Sequence, residues 1–213
     1  MAIDDVTEDR FLDGRVMIRQ PRIGYRAAMD PVLLAAAAPA LRRGRALDLG
    51  AGVGTAGLCF AARVANMSVT GLELQPDLVE LARQNAALNG MEARVEFLAG
   101  DLMAPPEALA PNSFDLVMTN PPYMRQDQVD RSPNAIRDTA NVEGSADLEN
   151  WLKFALKMLK PKGTLVMIHR ADRLDDIMAR LYGRLGEVAV VPLWPKPGRE
   201  AKRVILRGRK GLR

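Results

Sequence analysis

Arg45-Ala46-Leu47-Asp48-Leu49-Gly50-Ala51-Gly52-Val53-Gly54 is the stretch that decides the fold. Ala46-Leu47-Asp48-Leu49 is a short, nearly continuous apolar run, as expected of a strand buried on both faces of a parallel sheet. Three glycines at alternate positions follow, and residues 54–66 then read as a helix. Glycines let the backbone bend sharply from strand to helix and lie close to a ligand. The helix start offers N–H groups with no partner in the helix. Working outward, the same unit recurs. Strands are expected at 69–73, 94–98, 114–119 and 164–168, with helices at 76–89, 146–159 and 172–183. Pro76 sits in a first helical turn, Asn89-Gly90 is a helix stop, and Pro161-Lys162-Gly163 closes the helix before the fifth strand. Residues 187–193 and 203–206 read as two last strands joined by a Pro/Gly-rich turn, and hence antiparallel. Upstream, Asp30-Pro31 opens a helix over 30–39 with Asp30 as its cap. Residues 1–29 read as irregular, with Gly14, Pro21 and Gly24. The pattern predicts an α/β fold: a doubly wound, seven-stranded, mostly parallel sheet with an antiparallel last strand. In such sheets ligands bind at the carboxyl ends of the strands, near the topological switch point.

With 213 residues, 48% hydrophobic and 26% charged, the chain has the composition of one globular domain, not of a disordered, collagenous or coiled-coil protein. Its single cysteine, Cys59, excludes an intramolecular disulfide and suits a reducing compartment; inside a helix it is expected to be buried and inert. One Cys and one His argue against structural zinc, and no metal is expected. The apolar run Val32–Leu41 is too short to span a bilayer, and the acidic start Met1-Ala2-Ile3-Asp4-Asp5 lacks a signal-peptide core. A cytoplasmic place without a membrane partner is the expectation. From Lys196 onward eight bases face one acid, Glu200; that segment carries +7 and the rest −3 of the net +4. Such asymmetry suggests a polyanionic partner.

Chemistry is expected just after the strands. Two registers of the glycine loop compete. Gly52-Val53-Gly54-Thr55-Ala56-Gly57 satisfies a dinucleotide string, yet its glycines run into the helix. The other register places an acid first: Asp48, then Gly50, Gly52 and Gly54, an arrangement that suits a cationic ligand and repels a pyrophosphate. Glu73 ends the second strand, where an acid bonds ribose hydroxyls in nucleotide-binding folds. Asp101, with Leu102 beside it, follows the third strand. After the fourth comes Asn120-Pro121-Pro122-Tyr123. Two prolines lock an extended turn without backbone donors. The Asn120 amide oxygen and the Pro121 carbonyl can then accept from one NH2 group and aim its lone pair, while Tyr123 stacks on a planar acceptor removed from its own stack.

Asp48-x-Gly50-x-Gly52-x-Gly54 resembles motif I of the S-adenosylmethionine (SAM) methyltransferases. Together with Asn120-Pro121-Pro122-Tyr123, the chain resembles the N-methyltransferases of the Asn-Pro-Pro-Tyr type over residues 22–210. The stretch Gln20-Pro21-Arg22-Ile23-Gly24-Tyr25-Arg26-Ala27-Ala28-Met29-Asp30-Pro31-Val32-Leu33-Leu34-Ala35 is similar to the region before motif I in bacterial tRNA(Val) adenine-N6 methyltransferases. The resemblance implies a Rossmann-like class I methyltransferase, with residues 1–44 as an N-terminal segment and helix bordering the cofactor pocket and 45–213 as the catalytic domain. It implies SAM as cofactor, held by Asp48, Gly50, Ala51, Gly52, Gly54, Glu73, Leu74, Asp101, Leu102 and Asn120, with Asp101 accepting from adenine and Leu102 packing on its ring. Asn120, Pro121, Pro122 and Tyr123 are the implied catalytic residues, and the implied reaction is methyl transfer to adenine N6 of a tRNA. A protein-glutamine N5-methyltransferase, a catalytically silent SAM- and RNA-binding protein, and an NAD oxidoreductase remain alternatives. The glutamine enzymes carry a long helical domain ahead of motif I, and here 47 residues precede Asp48. The related guanine-N2 enzymes typically show Phe in place of Tyr123.

Residues 124–145 lack a periodic pattern and read as a substrate lid carrying Arg125, Arg131 and Arg137. RNA contact is expected through this loop and through the basic C-terminal strand, whose charges would gather at one edge of the domain. His169 is read as a packing residue at the end of the fifth strand. The roles of Tyr25 and Arg26, toward cofactor or substrate, stay open, as does the oligomeric state.

Overall fold

The computed structural model describes residues 5–122 and 147–212. Tyr123 and the expected lid with its three arginines lie outside the described residues. The elements are β1 (Val6–Phe11), β2 (Val16–Pro21), α1 (Met29–Ala37), β3 (Gly44–Leu49), α2 (Thr55–Arg63), β4 (Met67–Glu73), α3 (Pro76–Leu88), β5 (Val95–Ala99), β6 (Phe114–Thr119), α4 (Leu148–Met158), β7 (Leu159–Arg170), α5 (Leu174–Leu181), β8 (Leu185–Leu193) and β9 (Arg203–Lys210). The sheet order is β5-β4-β3-β6-β7-β9-β8, seven strands, with β9 antiparallel to both its neighbours. The order reverses between β3 and β6, which puts the switch point beside the glycine loop.

Strand side chains alternate between the two faces. Ala46 and Leu116, adjacent on β3 and β6, pack with α1, α2, α3 and β2 in one apolar cluster. Leu47, Leu49 and Val117 pack with α4 and α5 in the other. Covering both faces is what makes the strands read as unbroken apolar runs.

Three expectations are corrected. Residues 1–29 are not irregular: β1 and β2 form an antiparallel hairpin registered from Val6 opposite Pro21 to Phe11 opposite Val16. Val16 and Ile18 are buried in the core, and α3 fastens the hairpin further. Asn85 Oδ1 accepts from the Arg19 amide (2.7 Å) and its Nδ2 donates to the Arg19 carbonyl (2.9 Å); Asn89 does the same to Met17 (2.8 and 2.7 Å). Four helical residues rise about 6 Å and two strand residues about 6.6 Å. Two carboxamides one turn apart therefore match alternate peptides of β2 and stand in for a neighbouring strand. Asp30 does not cap α1, which starts at Met29 with Ala28 at the cap position; its carboxylate instead pairs with Arg203 at 3.0 Å. Pro161-Lys162-Gly163 does not separate helix from strand but lies inside β7. The register to β6 jumps there from Phe114–Leu159 to Leu116–Thr164, and Lys162 takes a φ of 63°, so the triplet bulges out and the strand resumes.

Candidate cofactor and active site

The carboxyl ends of β3, β4, β5 and β6 come level through their pairing. Leu49 lies opposite Leu72 and Thr119, and Glu73 opposite Ala99. Thr119 Oγ1 donates to the Leu49 carbonyl at 2.9 Å, a buried bond between residues 70 apart. The Gly50 and Ala51 amides donate to the Leu72 carbonyl, and the Gly100 amide to that of Glu73. The glycine loop, Glu73, Asp101 and Asn120 are thereby brought to one edge, as the strand-end reading expects.

Backbone conformation decides between the two glycine registers. Gly50, Gly52 and Gly54 have φ of 77°, 55° and 86°, and Gly57 has no positive φ. The alternating set is the one whose conformation demands glycine. Gly57 is small for another reason: a Cβ there would lie 3.1 Å from Asp48 Oδ2, which accepts from the Gly57 amide at 2.8 Å. Asp48 is buried, and its carboxylate is engaged with the first turn of α2. Burial, and then the nearby negative Glu73, push its pKa up to about 7 against the opposing Gly57 amide. Glu73 clamps the loop from β4: Oε2 accepts from the Gly52 amide and Oε1 from the Gln75 amide, both at 2.9 Å. Burial raises its pKa too, against these backbone bonds. Asp101 accepts from the Met103 amide at 2.9 Å in a tight turn, and half-buried Leu102 packs on the cluster containing Leu49 and Leu72. Leu74 is exposed, Asn120 and Pro122 are half-buried, and Pro121 is buried.

Two aromatic residues that motif reading did not assign also meet the loop. A Cβ on Gly52 would strike the Tyr25 hydroxyl, and one on Gly50 would sit 2.6 Å from the Trp151 ring. Tyr25 descends from the hairpin, which is tied to the loop because Asn85 also donates to the Val53 carbonyl at 2.9 Å. Its neighbour Arg26 turns the other way, donating to Thr7, Pro21 and Asp9. Trp151 stands on α4. The open roles of residues 25 and 26 thus divide: one faces the loop, the other braces the hairpin. A tyrosine four residues after a strand and a tryptophan on a distant helix carry no local signal of this meeting.

His169 is fully buried, and burial, then the Arg173 charge, lower its pKa to about 4. Cys59 is buried with its pKa pushed up to about 12 by burial and then by Asp48, so thiolate chemistry is suppressed. Among the described residues no cluster of three or more His, Cys, Asp or Glu could hold a metal, and no helix is long and apolar enough to cross a membrane. The basic segment does not gather at one edge. β9 runs the height of the sheet, from Arg203 opposite Arg170 at the carboxyl edge to Arg209 opposite Thr164 at the other. Arg203 pairs with Asp30, Arg209 with Glu187, and Lys210 donates to Asn112 and the Leu159 carbonyl.

A backbone cradle that only glycine can line, rimmed by acids from successive strands, fits a ligand with a cationic end and a dihydroxy sugar, as in SAM. The comparisons agree. A family model described as "Methyltransferase domain" matches residues 42–188. A tRNA1(Val) (adenine(37)-N6)-methyltransferase of Porphyromonas gingivalis strain ATCC 33277 is 33% identical over 206 residues, spanning 92% of this chain and 79% of its own. The crystal structure of a predicted O-methyltransferase from Agrobacterium tumefaciens superimposes with a TM-score of 0.69 at 30% identity, covering 87% of this chain and 82% of that one. M. jannaschii TYW2 in complex with AdoMet shares the fold alone, with a TM-score of 0.63 at 13% identity over 98% of this chain and 86% of that chain. By sequence and by fold, the chain belongs to the methyltransferase domain family and is a relative of the bacterial tRNA1(Val) (adenine(37)-N6)-methyltransferases.

Proposed function

We propose that the enzyme methylates the exocyclic N6 amine of an adenine in tRNA. The observation that carries this reading is the Asn120-Pro121-Pro122 turn. It leaves β6 at the switch point, beside Gly50, held there by the Thr119–Leu49 bond. SAM supplies an electrophilic methyl group when bound. The chain's own residues present the nucleophile. The Asn120 side-chain oxygen and the Pro121 carbonyl accept the two N–H bonds of the amine, biasing its delocalised lone pair toward the methyl carbon. No strong base is required of them, because the proton leaves a cationic ammonium product. Tyr123 is assigned to stacking on the extruded base from its place after Pro122.

In this reading Gly50, Ala51, Gly52 and Gly54 form the cradle for the amino-acid end of the cofactor, with Asp48 beneath it. Glu73 takes the ribose hydroxyls, Leu74 flanks the sugar, and Asp101 with Leu102 receives the adenine. The Tyr25 contact with the loop supports residues 1–44 as a segment bordering that pocket, ahead of the catalytic domain at 45–213. A tRNA substrate would place the enzyme in the cytoplasm, and the lid over 124–145 would meet the same RNA.

The test is incubation with labelled SAM and, separately, undermodified tRNA and release factors. Label in N6-methyladenosine of the tRNA is expected, and label confined to the protein fraction would overturn the acceptor. Asn120→Ala is expected to lower kcat by ~10²–10³ with little change in SAM affinity.

A further inference from the structure

The β8–β9 hairpin ends at the catalytic edge of the sheet. Leu193 pairs with Arg203, and Arg203 with Arg170, so residues 194–202 project beside the carboxyl end of β7. β7 is the direct neighbour of β6, with Met167 opposite Thr119. At about 4.8 Å per strand, the tip of the hairpin stands on the order of 15 Å from Asn120 along that edge. Trp194 opens it and is 61% exposed, an unusual state for the residue with most apolar surface to bury. Lys196, Arg199 and Lys202 follow on the same short tip, all exposed and with no ion pair to any described residue. The tip is built stiffly. Pro195 and Pro197 restrict it, Gly198 turns it at a φ of 73°, the Arg199 amide donates to the Lys196 carbonyl at 3.3 Å, and the Lys202 amide to that of Leu193 at 3.1 Å. An ordered aromatic face ringed by cations is the chemistry of a single-stranded nucleic-acid contact: the ring stacks a base and the cations neutralise its phosphates.

We infer that Trp194 is a stacking platform for a nucleotide neighbouring the methylated adenosine, with Lys196, Arg199 and Lys202 holding the phosphates on either side. The inference rests on the RNA reading of the same active site. Extruding one base strips its neighbours of a stacking partner. The ring replaces the lost stack and fixes which nucleotide reaches Asn120.

The experiment uses the full chain, labelled SAM and a short RNA stem-loop containing the acceptor adenosine. Trp194→Ala is expected to raise KM for RNA by about 5- to 150-fold, the worth of one stacked base, with kcat and SAM affinity within twofold. Trp194→Phe should recover most of the loss. In a Trp151→Phe background, which leaves Trp194 as the single tryptophan, RNA should quench the emission, and unchanged emission would count against the platform. Lys196→Gln with Arg199→Gln should flatten the log–log salt slope by about 1.4, two single-strand phosphates' worth. The control is Arg42→Gln with Arg43→Gln, two exposed bases lining a cleft at the opposite edge of the sheet, which remove the same charge and should leave the slope unchanged. A wild-type KM in Trp194→Ala, or an equal slope change in the control, overturns the platform while leaving RNA methylation standing. No transfer from the wild type to any RNA overturns both.

Discussion

Asp48→Asn isolates the electrostatic cost of the glycine loop. The carboxyl is buried, receives one hydrogen bond, from the Gly57 amide, and faces the negative Glu73. Asparagine keeps an acceptor for Gly57 and removes the charge. With a folded pKa of about 7 against an ordinary carboxyl value of 3.8, the native state holds a proton that the unfolded chain has already released. The stabilisation is full below the unfolded value and is lost as pH rises through the folded one. Between pH 5.5 and 7.5 the wild type should therefore lose about 2 kcal/mol that Asp48→Asn keeps, on the order of 1.4 kcal/mol per pH unit until the group ionises. His169 acts in the opposite sense: its lowered pKa of about 4 makes acid destabilising as pH falls below the ordinary imidazole value of 6.5. It is present in both proteins, so the difference between them removes it. Urea unfolding at the two pH values, wild type against Asp48→Asn, reads that difference directly. Parallel pH dependences would refute the claim that Asp48 is protonated in the ligand-free fold. A second readout follows. If the cationic end of SAM draws Asp48 into its ionised form, SAM affinity should rise about eightfold from pH 6 to 7.5 in the wild type and not in the variant. A flat profile in both would confine Asp48 to organising α2.

Gly52→Ala should weaken SAM binding tenfold or more, since alanine resists a φ of 55° and its Cβ would strike Tyr25; adding Tyr25→Ala should recover only the steric part, and wild-type calorimetry for the single variant would count against the cradle. Asn85→Ala removes three hydrogen bonds, two part-buried ones to Arg19 and a buried one to Val53, and should cost about 3 kcal/mol, seen as a Tm lower by roughly 10 °C. Asn89→Ala, nearer the surface, should cost less, and equal losses would argue against Asn85 as the link between hairpin and loop.

What the sequence determined by itself is whatever short-range chemistry dictates. Buried parallel strands must be apolar on both faces, so β3, β4, β6 and the core of β7 are legible as runs, and the helices between them as amphipathic segments. Left-handed φ at alternate loop positions demands glycine, so the sequence marked the loop, and the backbone conformation then chose between its two registers. Acids and the Asn-Pro-Pro turn at successive strand ends were enough to place the candidate residues together, because parallel topology brings all such ends to one edge. Asp13-Gly14 between two short runs is a hairpin signal masked by β1, four of whose six residues are polar. The tertiary structure alone decided the rest. Asn85 and Asn89 look like any polar helix face until a strand lies against them. Pro161 looks like a stop until the register jump shows a bulge. The meeting of Tyr25, Trp151 and the glycine loop joins residues 126 positions apart, and no local pattern encodes a contact whose partners are chosen only when the sheet closes.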